Sequence, residues 1–232
     1  MIASTLWALL RQTPSLGEGQ SLNLGDIWEA GGFMMWPLGL SLAIGVLIIG
    51  WKVVDLQTKA SKNKKVLRDA DELISQGKLD EALAVCNESN APAAAVLKAG
   101  LARHEEGTER AMQAIENAGS IQVAGLESGL VWLATLSNVA PLLGFLGTVI
   151  GMIMAFQAIE IAGEVEATLV AGGIKVALIT TAAGLTIAIP INIFHNYFVT
   201  RIDRLVIEME ESAQRLIDAL HEQATRKAAA GR

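Results

Sequence analysis

Threonine hydroxyls stand in long apolar stretches, and Thr148, Thr180 and Thr181 are the ones whose types and spacing could do chemistry. Thr148 lies in "PLLGFLGTVIGMIMAF" (141–156), and Thr180 and Thr181 lie in "GIKVALITTAAGLTIAIP" (173–190). A hydroxyl in such surroundings can offer lone pairs and a proton to a passing ion or to a carboxyl group. It can also donate to the carbonyl of its own helix four residues back, with no function beyond its own satisfaction. Both threonine stretches carry small residues at spacings of three and four: Ala140, Gly144, Thr148, Gly151 and Ala155 in one, Ala177, Thr181, Gly184 and Ala188 in the other. Such stripes let helix backbones approach closely inside a membrane. Gly147 adds a further small residue beside Thr148.

Proton relays inside membranes commonly use Asp, Glu or His. The stretches 31–51 and 128–159 contain none, and 167–200 carries only Lys175 near one end and His195 near the other. No metal-ligand spacing, nucleophile–base pair or glycine-rich phosphate loop is found along the chain, so an enzyme reading has no residues to rest on. The single cysteine, Cys86, excludes an intrachain disulfide and reads as a small hydrophobe on a helix. A net charge of −6 over 232 residues argues against a nucleic-acid partner, which needs concentrated Lys and Arg.

These hydroxyls must be positioned by helices that cross a bilayer. The chain is 52% hydrophobic and only 18% charged, and the charges are clustered. Three runs reach the ~20 apolar residues that about 30 Å of hydrocarbon demands. Trp36 and Trp51 sit in the first as interfacial anchors. The second is longer than one bilayer thickness, so part of it stands in protein or water. Lys52, Lys59, Lys62, Lys64, Lys65 and Arg68 follow the first run, Arg201 and Arg204 follow the third, and the link between the second and third holds only acids. By the positive-inside rule the N-terminus is then outside and the C-terminus inside. "MIASTLWALL" has no basic n-region and no clear cleavage site, so it reads as an amphipathic or irregular outer segment rather than a signal peptide.

The expected organisation is an all-α membrane protein in seven parts. Residues 1–30 form an extracytoplasmic segment, 31–51 the first span, 52–127 a cytoplasmic helical domain and 128–159 the second span with a cytoplasmic extension. Residues 160–166 form a periplasmic loop, 167–200 the third span and 201–232 a cytoplasmic helix. The second and third spans are expected to extend into a cytoplasmic bundle. The inner region reads as helices, with Leu79, Ala82, Leu83 and Cys86 at helical spacing. Ile202, Leu205, Met209, Ala213, Leu216 and Leu220 form a stripe that packs either on that region or on neighbouring copies.

"APLLGFLGTVIGMIMAF", "GIKVALITTAAGLTIAIP" and "EAGGFMMWPLGL" together resemble the ExbB/TolQ/MotA channel subunits, in order and over nearly the whole chain. Three spans with a large inner loop fit the ExbB/TolQ branch. The resemblance implies an inner-membrane homopentamer around two single-span helices of an ExbD- or TolR-like partner, whose aspartate supplies the missing carboxylate. It implies that Thr148 and Thr181 face that partner, and that ion flow energises a TonB-like or envelope process. No cofactor is implied beyond the translocated proton, with sodium as the alternative ion and Thr180 as an additional oxygen for it. Gly144, Gly147, Gly151, Ala177 and Gly184 are expected to pack the helices and to line the lumen, on the premise that the small-residue faces lack a partner within one chain. A non-conducting membrane scaffold is the rival reading. One departure stands out: Val176 occupies a position where many members carry glutamate, and Lys175 precedes it.

Overall fold

The computed structural model describes residues 24–164 and 166–230. The expectation for the opening segment "MIASTLWALL" lies outside the described residues. Among those described, every element is helical. A short helix α1 (Leu24–Ala30) and a 3-10 turn (Gly32–Met34) lead into α2 (Met35–Ser75). Three shorter helices follow: α3 (Leu79–Asn87), α4 (Pro92–Leu101) and, after a second 3-10 turn, α5 (Thr108–Glu127). The long helices α6 (Leu130–Ala162) and α7 (Ala167–Ala230) complete the fold. Three stretches are long and apolar enough to cross a membrane, within Gly32–Ser75, Thr108–Ala162 and Val170–Glu222.

Glycine and proline decide where these helices begin and end. Gly77, at φ 76°, closes α2 in a left-handed turn. There the Lys78 amide donates to Leu73 O and the Gly77 amide to Ile74 O, each at 3.0 Å, which satisfies carbonyls left open at the helix end. Pro92 opens α4 at a position where its missing N–H costs nothing. The buried Asn63 of α2 caps that same end, its Oδ1 accepting from the Ala93 amide at 3.0 Å. Gly129, at φ 86°, breaks α5 from α6, and Gly163, at φ 73°, ends α6.

These signals refine the expected boundaries. The second span is a separate helix starting at Leu130, so the helical stretch before it belongs to α5, across the Gly129 break. The first span continues unbroken to Ser75, because no glycine or proline interrupts α2 between Trp51 and Ser75. The third span and the C-terminal stripe are one helix of 64 residues, about 96 Å long.

Its inner half packs on the inner region of the same chain. Ile202, Leu205, Met209, Leu216 and Leu220 are buried in one cluster with Val66, Ile74, Val96, Leu97 and Ile115. At about 25 cal/mol per Å², burying a side chain of this size contributes about 1.5–3 kcal/mol, which fixes α7 to the domain. Asp71 accepts from Arg215 at 2.6 Å and from Ser212 at 3.1 Å, setting the register of α7 against α2.

Candidate ion pathway along the second and third membrane helices

Helices α6 and α7 run antiparallel and in backbone contact. A Cβ on Gly144 would stand 3.0 Å from Thr180 O and 3.1 Å from Thr181 Cα. One on Gly151 would stand 2.6 Å from Gly173 O, and one on Gly184 would stand 2.7 Å from Ala140 O. Ala140, Ala155, Ala177 and Ala188 are buried along the same seam. This overturns the premise that the small-residue faces lack a partner within one chain. They are each other's partners, because backbones this close leave no room between them for a lumen. Gly144, Gly147, Gly151, Ala177 and Gly184 pack the helix pair.

The three threonines take different places on that seam. Thr181 Oγ1 donates to Gly144 O at 3.1 Å, a bond from α7 to α6. Thr148 Oγ1 donates to Phe145 O of its own helix at 2.6 Å. Thr180 is fully buried, its Oγ1 donating back to Val176 O at 2.9 Å and Ala177 O at 3.0 Å, with Gly147 packed against it. Each hydroxyl proton is thus committed. What Thr148 and Thr181 can still offer outward is oxygen lone pairs.

Helix geometry separates the two flanks of the pair. At 100° per residue, Ala177, Gly184 and Ala188 place the α6-facing direction of α7 about 40° to one side of Thr181. The same reckoning puts Thr148 about 60° from the α7-facing direction of α6. Because the helices are antiparallel, both threonines fall on the same flank. Thr180 and Gly147 fall on the other flank, which α2 covers: a Cβ on Gly45 of α2 would meet Ile191 at 2.7 Å and Leu136 at 3.8 Å. Thr148 lies four residues beyond Gly144, so the two hydroxyls differ in depth by one turn, about 6 Å.

Lys175 is exposed, and among the described residues it forms no ion pair. Val176, in the glutamate position, is half-buried. At the Leu130 end of the pair is a residue that the sequence marked only as an orientation signal. Lys52 is fully buried, and its Nζ donates to Leu126 O and Ser128 O, each at 2.7 Å, beside the α5–α6 break. Asp55 Oδ2 lies 4.0 Å away. A lysine directly after a span reads in sequence as a topology signal, and nothing local announces that it caps a distant helix end. In the hydrophobic core, burial pushes the Cys86 thiol up to about 11, opposed by the nearby Lys98 charge.

Three apolar helices, two of them locked by a glycine seam and carrying hydroxyls on one open flank, define a multi-pass membrane protein built around a helix pair. Residues 88–211 match the model of the MotA/TolQ/ExbB proton channel family. The chain belongs to that family. It is similar to the biopolymer transport protein exbB1 of Vibrio cholerae serotype O1, 32% identical over 177 residues, covering 72% of this chain and 75% of that protein. It is also similar to the Tol-Pal system protein TolQ of Haemophilus influenzae, 36% identical over 123 residues, or 53% of each chain. ExbB of Aquifex aeolicus is 35% identical over 85 residues, 37% of this chain and 57% of that one.

Proposed function

We propose that this chain is the channel subunit of an ExbB/TolQ-type motor in a bacterial inner membrane, assembled as a homopentamer with its C-terminal helix in the cytoplasm. The observation that carries this reading is the open flank of the α6–α7 pair. It presents Thr148 and Thr181 within one turn of each other, and neither 128–159 nor 167–200 supplies a carboxylate. A partner helix with an aspartate, of the ExbD or TolR kind, supplies the titrating group against that flank. With their own protons committed, the two threonine oxygens accept from the aspartic acid when it is protonated. They lose that bond when it ionises, so protonation alters how the partner helix seats on the wall. Repeated around a ring, that change turns ion flow into movement of the partner, which energises biopolymer transport or an envelope process.

Thr180 belongs to packing in this reading, since its hydroxyl is sealed between Gly147 and its own helix. Without it the oxygen set on the open flank is thin for sodium, which favours the proton. The scaffold reading draws its support from Thr148, whose hydroxyl is satisfied within α6.

The test is co-reconstitution of the full chain with its partner subunit in liposomes holding a pH-sensitive dye. Proton uptake driven by an imposed potential, lost when the partner's aspartate becomes asparagine, is the expected result. Absence of flux under any ion gradient favours the scaffold, and flux that requires sodium replaces the proton.

A further inference from the structure

His195 stands on α7 fourteen residues inward of Thr181, about 21 Å along the axis and about 40° from it around the helix. That puts it on the line of Ala177, facing α6, near the cytoplasmic end. The ring is half-buried over a groove of about 320 Å³ whose polar lining is His195, Glu127, Thr135 and Asn138. Asn138 and Ala134 lie on the Thr148 side of α6, so the groove opens on the flank of the two threonines, and Asn192, about 20° from Thr181, lies on that flank of α7. The amides fix the ring chemistry. Asn196 Nδ2 donates to Asn192 Oδ1 at 3.3 Å, which leaves Asn196 Oδ1 facing His195 Nδ1, also at 3.3 Å. An amide oxygen only accepts, so Nδ1 carries the proton and Nε2 keeps its lone pair.

We infer that His195 is the inner station of the pathway, a relay that takes protons arriving along the Thr148–Thr181 flank and releases them into the Glu127 groove. This rests on the channel reading above. Nε2 accepts a proton from water on the flank, forming the imidazolium. The same nitrogen then gives that proton to the Glu127 carboxylate or to groove water, and the neutral ring is restored. Histidine suits this role because one ring nitrogen can take up and give back a proton while the other stays hydrogen-bonded. Glu127 of α5 is the charged group lining the groove. Behind it Lys52 and Asp55 of α2 meet the same junction, with Lys52 Nζ on Leu126 O and Ser128 O. On α7 the next charge is Arg201, about 120° away around the helix.

The test compares the parent, His195→Gln and Glu127→Gln, each co-reconstituted with the partner, with proton flux read as the pH at the cytoplasmic face is varied between about 5.5 and 8. The expected result is that His195→Gln lowers flux by on the order of a hundredfold and flattens its pH dependence. Imidazole added at the inner face restores part of that flux, and Glu127→Gln gives a smaller loss. A merely structural histidine is not rescued by imidazole. Parental flux and pH profile in His195→Gln overturns the inference, as does a loss in an assembled complex that imidazole leaves unchanged. If the variant does not assemble, the parent decides by NMR: imidazole resonances of His195 that do not shift across this range overturn the relay. A parent without aspartate-dependent flux overturns the channel reading itself, and the relay with it.

Discussion

Thr181 Oγ1 reaches across from the third membrane helix to the carbonyl of Gly144 in the second, 37 residues earlier, at 3.1 Å. A side chain at 144 would collide with the backbone of α7, so glycine is what brings this carbonyl within reach. The carbonyl's second lone pair takes the hydroxyl, and the bond ties the two helices at mid-seam. Thr148 makes no such tie.

The two threonines should therefore separate in stability while agreeing in activity. Thr181→Val removes an interhelical bond worth about 0.6 kcal/mol and at most about 1.7 kcal/mol. Thr148→Val removes only a bond within its own helix and should leave stability unchanged. Equilibrium unfolding of the detergent-purified protein measures both. Under the proposed function, both variants lose most proton flux, because each removes an acceptor from the open flank. A Thr148→Val variant with full flux would leave that hydroxyl no role beyond its own helix.

The glycines divide by surroundings rather than by helix propensity. Gly151→Ala places a methyl against Gly173 O and Ala177 N, at 2.6 and 2.8 Å, and neither is a flexible side chain. The helices must part, at a cost of about 1–3 kcal/mol. Gly50→Ala, on α2 with nothing within 4 Å, should instead gain up to about 1 kcal/mol of helix propensity. Opposite signs of the two changes in thermal unfolding are the expected outcome. A neutral Gly151→Ala would contradict the tight seam.

Much of this organisation was legible in the chain because it is written in local patterns. Apolar length gave the three spans, and the stripe from Ile202 to Leu220 gave the inner half of α7. The pairing partner of a small-residue stripe is not a local property. Gly144 and Gly184 each read as half of an interface, and sequence spacing does not say whether the other half lies in the same chain. The fate of Lys52 was equally hidden, since its two acceptors are 74 and 76 residues away. The three threonines read alike as hydroxyls in apolar stretches. Only the position of α2 separates Thr180 from the other two.

Cys86 supplies a probe of the helical core that is independent of any ion flow. The thiol is buried against the inner helices, and that burial raises it from an ordinary value near 9.0 to about 11. At pH 8 roughly a thousandth of it is ionised, and it is the thiolate that reacts with alkylating reagents. Native protein should resist maleimide at pH 8, and protein unfolded in denaturant should label fully. Mass spectrometry reads both states. Rapid native labelling would mean that α3 opens readily from the bundle.

Lys52 should act as a pin on the junction between α5 and the second span. Its ammonium holds two carbonyls just before the break at Gly129, where Ser128 is extended and no helical bond satisfies them. Lys52→Met keeps most of the buried stem and removes the donor. Leaving two carbonyls unpaired costs about 1–3 kcal/mol each, while relief from burying a charge offsets several kcal/mol. Global stability is therefore a poor readout, because the two effects oppose one another. Local hydrogen exchange is a better one. The first turn of α6 is already loose, with the Leu133 amide 3.4 Å from Gly129 O. Without the pin, amides at 128–133 should exchange at least about tenfold faster, a change of about 1.4 kcal/mol in local opening, while those of α4 keep their protection. Lys52→Arg restores a donor but asks a planar fork to fit a site shaped for a point charge, so it should recover protection only in part. Unchanged exchange at 128–133 in Lys52→Met would show that the junction is held by packing alone.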